Sequence, residues 1–213
     1  MRKLRTFPAL DPFQALIGAF LLTLSSAGAS ADTGCMGVEN VNFRMYPEYC
    51  AVRCVPSKVR DAKGKKSYYE RRLGKDNRGS PAFLHVHHYC AGMMLSDKLL
   101  TTPPGPDRRR VCIDSKNNFN YVVRNWSTQS PLYPEALVRS GRVDELCERK
   151  AEAAQNYLNA IRVRPNYPPA YIALSDLQAS QGNSAEASKV LRQGLKANPS
   201  SKALAARLRR LGK

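Results

Sequence analysis

Between residues 168 and 201 the apolar side chains recur at helical spacing. Tyr171, Leu174 and Leu177 lie three apart, and after Gln181-Gly182-Asn183 the pattern restarts with Ala187, Val190, Leu191 and Gly194. Apolar positions three and four apart predict amphipathic helices, so this stretch reads as two helices joined by a tight turn. Gly182 and Asn183 suit the turn because both tolerate positive φ. Ala187 and Gly194 are small where the two helices must cross, and Pro199 prevents the second from continuing. Pro131, Pro165 and Pro199 stand 34 residues apart, and the unit repeats with them. In residues 134–167, Gly141 is the small residue of the first helix. Ala153, Tyr157 and Ala160 hold the offsets of Ala187, Leu191 and Gly194, while the turn Glu148-Arg149-Lys150 lacks glycine. A divergent copy covers residues 81–133. Its first helix is predicted from Pro81 to Leu100 and its loop over residues 101–106. Phe119, Val123 and Trp126 stand 34 residues before Ala153, Tyr157 and Ala160, large where the others are small. Ser200-Ser201 is an N-cap signal, and residues 202–211 form an amphipathic closing helix through Leu204, Leu208 and Leu211. The predicted class is all-α: a short helix-turn-helix solenoid with a C-terminal capping helix and a disulfide-linked N-terminal segment.

The start of the chain reads differently. Met1-Arg2-Lys3-Leu4-Arg5 is basic, Ala15 to Leu24 is apolar but too short to span a bilayer, and Ala29-Ser30-Ala31 has the A-x-A form of a cleavage site. Together these predict a secretory signal peptide over residues 1–31. The protein is therefore expected to be exported, with the periplasm as its expected location and no transmembrane helix in the mature chain. A Cys-containing basic segment, residues 32–80, follows. The chain carries 34 Lys+Arg against 17 Asp+Glu, a net charge of +17. Removing residues 1–31 takes away Arg2, Lys3, Arg5 and Asp11 and leaves +15.

All six cysteines (Cys35, Cys50, Cys54, Cys90, Cys112 and Cys147) lie in the mature part. An even number in an exported chain predicts disulfides. Consecutive helices of such an array run antiparallel, so Cys147, ending the first helix of the middle unit, falls beside Cys112, near the start of the second helix before it. That pair would close a loop worth roughly 2–4 kcal/mol.

Candidate chemistry is sparse. His85, His87 and His88 are the only histidines. His85 and His88 share a face at i, i+3 and form the alternative metal site, although a structural zinc site takes four ligands. No nucleophile elbow, phosphate loop or His-Glu-x-x-His motif is present. Glu135, Asp144, Glu145, Glu148 and Glu152 alternate with basic residues and read as solvated faces. The expectation is neither catalytic residue nor cofactor. Trp126, the only tryptophan, reads as core. The positive charge is concentrated in residues 58–78, which carry nine basic against three acidic residues and read as a mobile linker. Residues 187–213 add eight basic residues and no acid.

A 34-residue helix-turn-helix period resembles the tetratricopeptide repeat. The resemblance extends to a group of small exported proteobacterial tetratricopeptide proteins. It is carried by His87-His88-Tyr89-Cys90 with Gly92, by Phe119 to Val123, by Tyr167 to Leu177, by Leu191 to Gly212, and by Tyr46-Pro47-Glu48-Tyr49-Cys50. It implies helix-pair repeats and protein binding. It also implies that Cys50 and Cys90, each following tyrosine in matching segments, pair together; elimination then joins Cys35 to Cys54. The concave face of such an array is lined by the first helix of each pair. This points to Val138, Arg139 and Arg142 in the middle unit and to Ile172, Asp176 and Ala179 in the last, gripping a protein or peptide of the cell envelope. The alternative partner, reached through residues 58–78 and 187–213, is an anionic lipid or polysaccharide. Nucleic acid is not expected for an exported chain whose basic runs lack interleaved aromatic residues.

Overall fold

The computed structural model describes residue 35 and residues 41–212; the signal-peptide expectation lies outside them. Nine α-helices follow in order among the described residues: α1 (Glu48–Cys54), α2 (Ala62–Arg72), α3 (Val86–Thr101), α4 (Pro106–Asn125), α5 (Tyr133–Leu146), α6 (Lys150–Val163), α7 (Pro168–Ser180), α8 (Ser184–Ala197) and α9 (Lys202–Leu211). They form an all-α helical-repeat solenoid, in which α3/α4, α5/α6 and α7/α8 pair and α9 closes the last pair. The antiparallel sense of the first pair is visible in its contacts. Arg108 bonds Leu99 O, Ser115 bonds Gly92 O, and Asn118 bonds His88.

Local chemistry sets the helix ends. Proline occupies the first turn of α4, α5 and α7, where its missing N–H has no intrahelical partner to lose. Ser201 caps α9 by accepting from the Leu204 N–H. Gly182 ends α7 at φ 81°. One repeat earlier, the same register position is Glu148, held at φ 63°.

Each helix pair crosses at a glycine. A Cβ on Gly92 would meet the Phe119 ring at 2.9 Å, on Gly141 the Tyr157 ring, and on Gly194 the Tyr171 ring at 2.8 Å. These crossings correct the register expected for the first copy. Phe119 sits against Gly92 as Tyr157 sits against Gly141, so Phe119 corresponds to Tyr157 rather than to Ala153. The fully buried Ser115 then takes the small-residue place of Ala153 and Val122 that of Ala160. Two small residues, Gly92 and Ser115, do hold this crossing, with Val122 larger than its Ala160 counterpart; the 34-residue count misses them because extra chain lies between Val122 and Pro131. Trp126 falls just beyond α4, buried, with its indole N–H donating to Ala82 O at 2.9 Å.

Residues 58–78, expected to be a mobile linker, contain the three-turn helix α2. Asp61 caps it by accepting from the Gly64 N–H. The chain then returns through a tight loop organised by Asp76, whose Oδ1 accepts from the Arg78 and Ser80 N–H groups, each at 2.8 Å. Asp76 Oδ2 lies 3.0 Å from His85 Nε2. Its carboxyl is held below the usual range, first by the His85 bond and then by the two backbone bonds. Two apolar clusters result, one joining α1 to α5 along the length of α5 and the other running from α5 to α9.

The structure contains three disulfides: Cys35–Cys54, Cys50–Cys90 and Cys112–Cys147. Cys90 stands 49 residues before Arg139, the same offset that separates Gly92 from Gly141. Arg139 reaches back from α5 to the Tyr89 ring on α3, and Cys90 reaches back from α3 to Cys50 on α1. Helix α1 therefore stands to α3 as α3 stands to α5, in the place of a preceding repeat.

Candidate functional site

The first helices α3, α5 and α7 present adjoining faces, and the residues expected to line them fall into three groups. Val138 is only 5% exposed and packs in the second apolar cluster; it supports the face rather than presenting to it. Arg139 is half-buried. Its guanidinium bonds Glu135 one turn back at 2.8 Å and lies 5.9 Å from the centroid of the Tyr89 ring. That ring is fully buried, and burial pushes its hydroxyl, set among Tyr49, Glu135 and Arg139, well above the usual tyrosine pKa. Arg139 thus braces α5 against α3. Asp176 bonds Arg207 of α9 at 2.6 Å, which ties the closing helix to α7. Ile172 and Ala179 are partly exposed. Arg142 is exposed and has no ion-pair partner among the described residues.

Arg142 borders a cavity of about 310 Å³ between α3 and α5, formed with Ser96, Asp97, Leu100, Arg139, Glu145 and Leu146. Leu100 was not singled out from the sequence, yet it is 69% exposed. A signal was available: Leu99 and Leu100 are adjacent at the end of a helix that buries only one face, so one of them must point outward. Leu99 is fully buried. Asp97 accepts from the Tyr46 hydroxyl at 2.7 Å, and burial together with this carboxylate pushes the Tyr46 phenol up to about 12. The segment before α1 therefore borders the same face.

The acids of the middle repeat are not all solvated. Asp144 is fully buried. It receives Lys116 of α4, the Arg149 Nε at 2.9 Å from the α5–α6 turn, and the Asn156 amide at 2.8 Å from α6. Glu145 accepts from the Tyr157 hydroxyl. Both are structural anchors of the pair.

His87 and His88 stand ring to ring, 4.3 Å apart, but His85 and His88 are each held by a different partner. His85 lies in the short turn before α3 and bonds Asp76, while His88 Nδ1 bonds Asn118 at 2.8 Å. The Tyr121 ring contacts both imidazoles. Among the described residues no group of three or more His, Cys, Asp or Glu is placed to hold a metal ion, and no helix is long and apolar enough to cross a membrane.

Helix pairs crossing at small residues and stacked one on the next make an α-helical repeat array. Residues 148–211 match the tetratricopeptide repeat family. The match covers α6 to α9, the most regular part of the array. No curated protein matches the chain.

Proposed function

We propose that the protein is an exported adaptor, resident in the periplasm, that grips a protein or peptide of the cell envelope along the α3–α5–α7 face. The observation that carries this reading is the cavity between α3 and α5, where Leu100 offers apolar surface beside Arg142, which has no ion-pair partner among the described residues. Repeat solenoids use such faces to hold extended or helical segments. Export draws support from the pairing of all six cysteines, since disulfides persist in oxidising compartments. The test is capture from intact cells by crosslinking, comparing the oxidised protein with a Leu100→Asp, Arg142→Glu double variant. One stoichiometric protein should be retained through moderate salt and lost with the variant. Unchanged capture would remove this face from consideration.

A second reading rests on α2, which buries no residue and exposes Lys63, Lys66, Arg71 and Arg72. Together with the basic surface of α8 and α9, it suits an anionic lipid or polysaccharide. Exposed charges are screened beyond about 8 Å at physiological ionic strength, so capture of this kind is expected to be released by the same salt wash.

A further inference from the structure

A separate cavity of about 430 Å³ lies where the start of α4 meets the α5–α6 turn. Its apolar lining is supplied by Ile113, Leu146 and the Cys112–Cys147 disulfide. Ile113 is 55% exposed there, although it sits within a long regular helix. The polar lining is predominantly cationic. Arg108 is committed to structure: it donates to Leu99 O, to Thr102 O at 2.8 Å and to Leu146 O at 2.9 Å, fastening the ends of α3 and α5. Arg109 is exposed and has no ion-pair partner among the described residues. Arg149 gives its Nε to Asp144 and keeps 32% of its side chain exposed, at the cavity wall. Glu148, exposed, is the one acidic side chain lining the cavity.

Guanidinium groups recognise carboxylates through paired donors of fixed geometry. The apolar wall beside them calls for an apolar body on the same ligand, and the volume falls within the range of small-molecule sites, roughly 300–1,000 Å³. We propose that this cavity binds a small amphiphilic carboxylate, its acidic head held by Arg109 and Arg149 and its apolar chain laid along Ile113, Leu146 and the disulfide. The site shares Leu146 with the α3–α5 cavity, but Arg109, Ile113 and Arg149 lie outside that cavity, so its test stands or falls independently of the adaptor reading.

The experiment is calorimetric titration of the oxidised mature protein with decanoate, and with decanol as the uncharged control. Decanoate should bind saturably at one site and at least tenfold more tightly than decanol. Arg109→Glu and Ile113→Asp change exposed residues and should each weaken decanoate at least tenfold; Arg109→Gln, which retains the stem, is the milder second variant. Leu100→Asp, on the other face, should leave the titration unchanged. A short peptide ending in leucine, with free or amidated C-terminus, identifies the source of the carboxylate. Tighter binding of the free-acid peptide than of decanoate assigns the site to a polypeptide end; the reverse assigns it to a fatty acid. Non-saturable decanoate binding, equal binding of decanol, or an Arg109→Glu protein that binds like the parent would each overturn the proposal.

Discussion

His87 resists protonation in the folded chain. It is half-buried against His88, and burial, followed by the nearby His88 and Arg53, lowers its pKa from 6.5 to about 4. The sign of the consequence follows from linkage. Between pH 6.5 and about 4 the unfolded chain binds a proton at His87 that the folded chain does not, so stability present above pH 6.5 declines as pH falls through that window. The decline attributable to this residue should be about 1–3 kcal/mol. Urea unfolding at several pH values across the window, with His87→Gln compared to the parent, checks it. The variant should show a visibly flatter profile, and parallel profiles would contradict the assignment. Neither this burial nor that of Asp144 was legible in the sequence. His87 stands in a polar cluster and Asp144 among alternating charges, and spacing alone does not show which charged residue of a helix turns inward to meet Lys116, Arg149 and Asn156.

At the level of helices and turns, much more could be read in advance. The last two helix pairs and the closing helix follow from apolar spacing, Gly182 and the repeated proline. The first pair was placed four residues out of register because Phe119 and Trp126 were aligned on the proline count, whereas the physical constraint is the Gly92 crossing. Helix α2 buries no residue and so leaves no apolar period in the sequence; its capping Asp61 is the one local signal of it. The α5–α6 turn, already anomalous for lacking glycine, adopts the same left-handed conformation as its glycine-bearing counterpart, with Glu148 at φ 63° where Gly182 has φ 81°. An L-residue is disfavoured there by roughly 1–2 kcal/mol. Part of that is offset by the greater freedom of glycine in the unfolded chain. Glu148→Gly should therefore raise stability by about 0.5–1 kcal/mol, read as a higher denaturant midpoint at unchanged slope. A lower midpoint would show that the Glu148 side chain contributes more than its backbone conformation costs.

For the whole molecule, the N-terminal helices and the repeats depend on one covalent link. Cys50–Cys90 spans 40 residues and fastens α1 against α3, in the position that a preceding repeat would take. Replacing both cysteines with serine should cost about 2–4 kcal/mol, and the loss should be local: amide exchange should quicken across residues 41–59 while α5 to α9 keep their protection. Uniform acceleration along the chain would mean instead that the array unfolds as a single cooperative unit. The pairing also bears on assembly. A solenoid with a bare first helix offers the stacking surface that its own units use, and so invites copies to join end to end into filaments. Helix α1, bonded over α3, covers that surface beside the first pair, and α9, tied through Arg207 to Asp176, covers it beside the last pair, so neither pair presents it for such stacking.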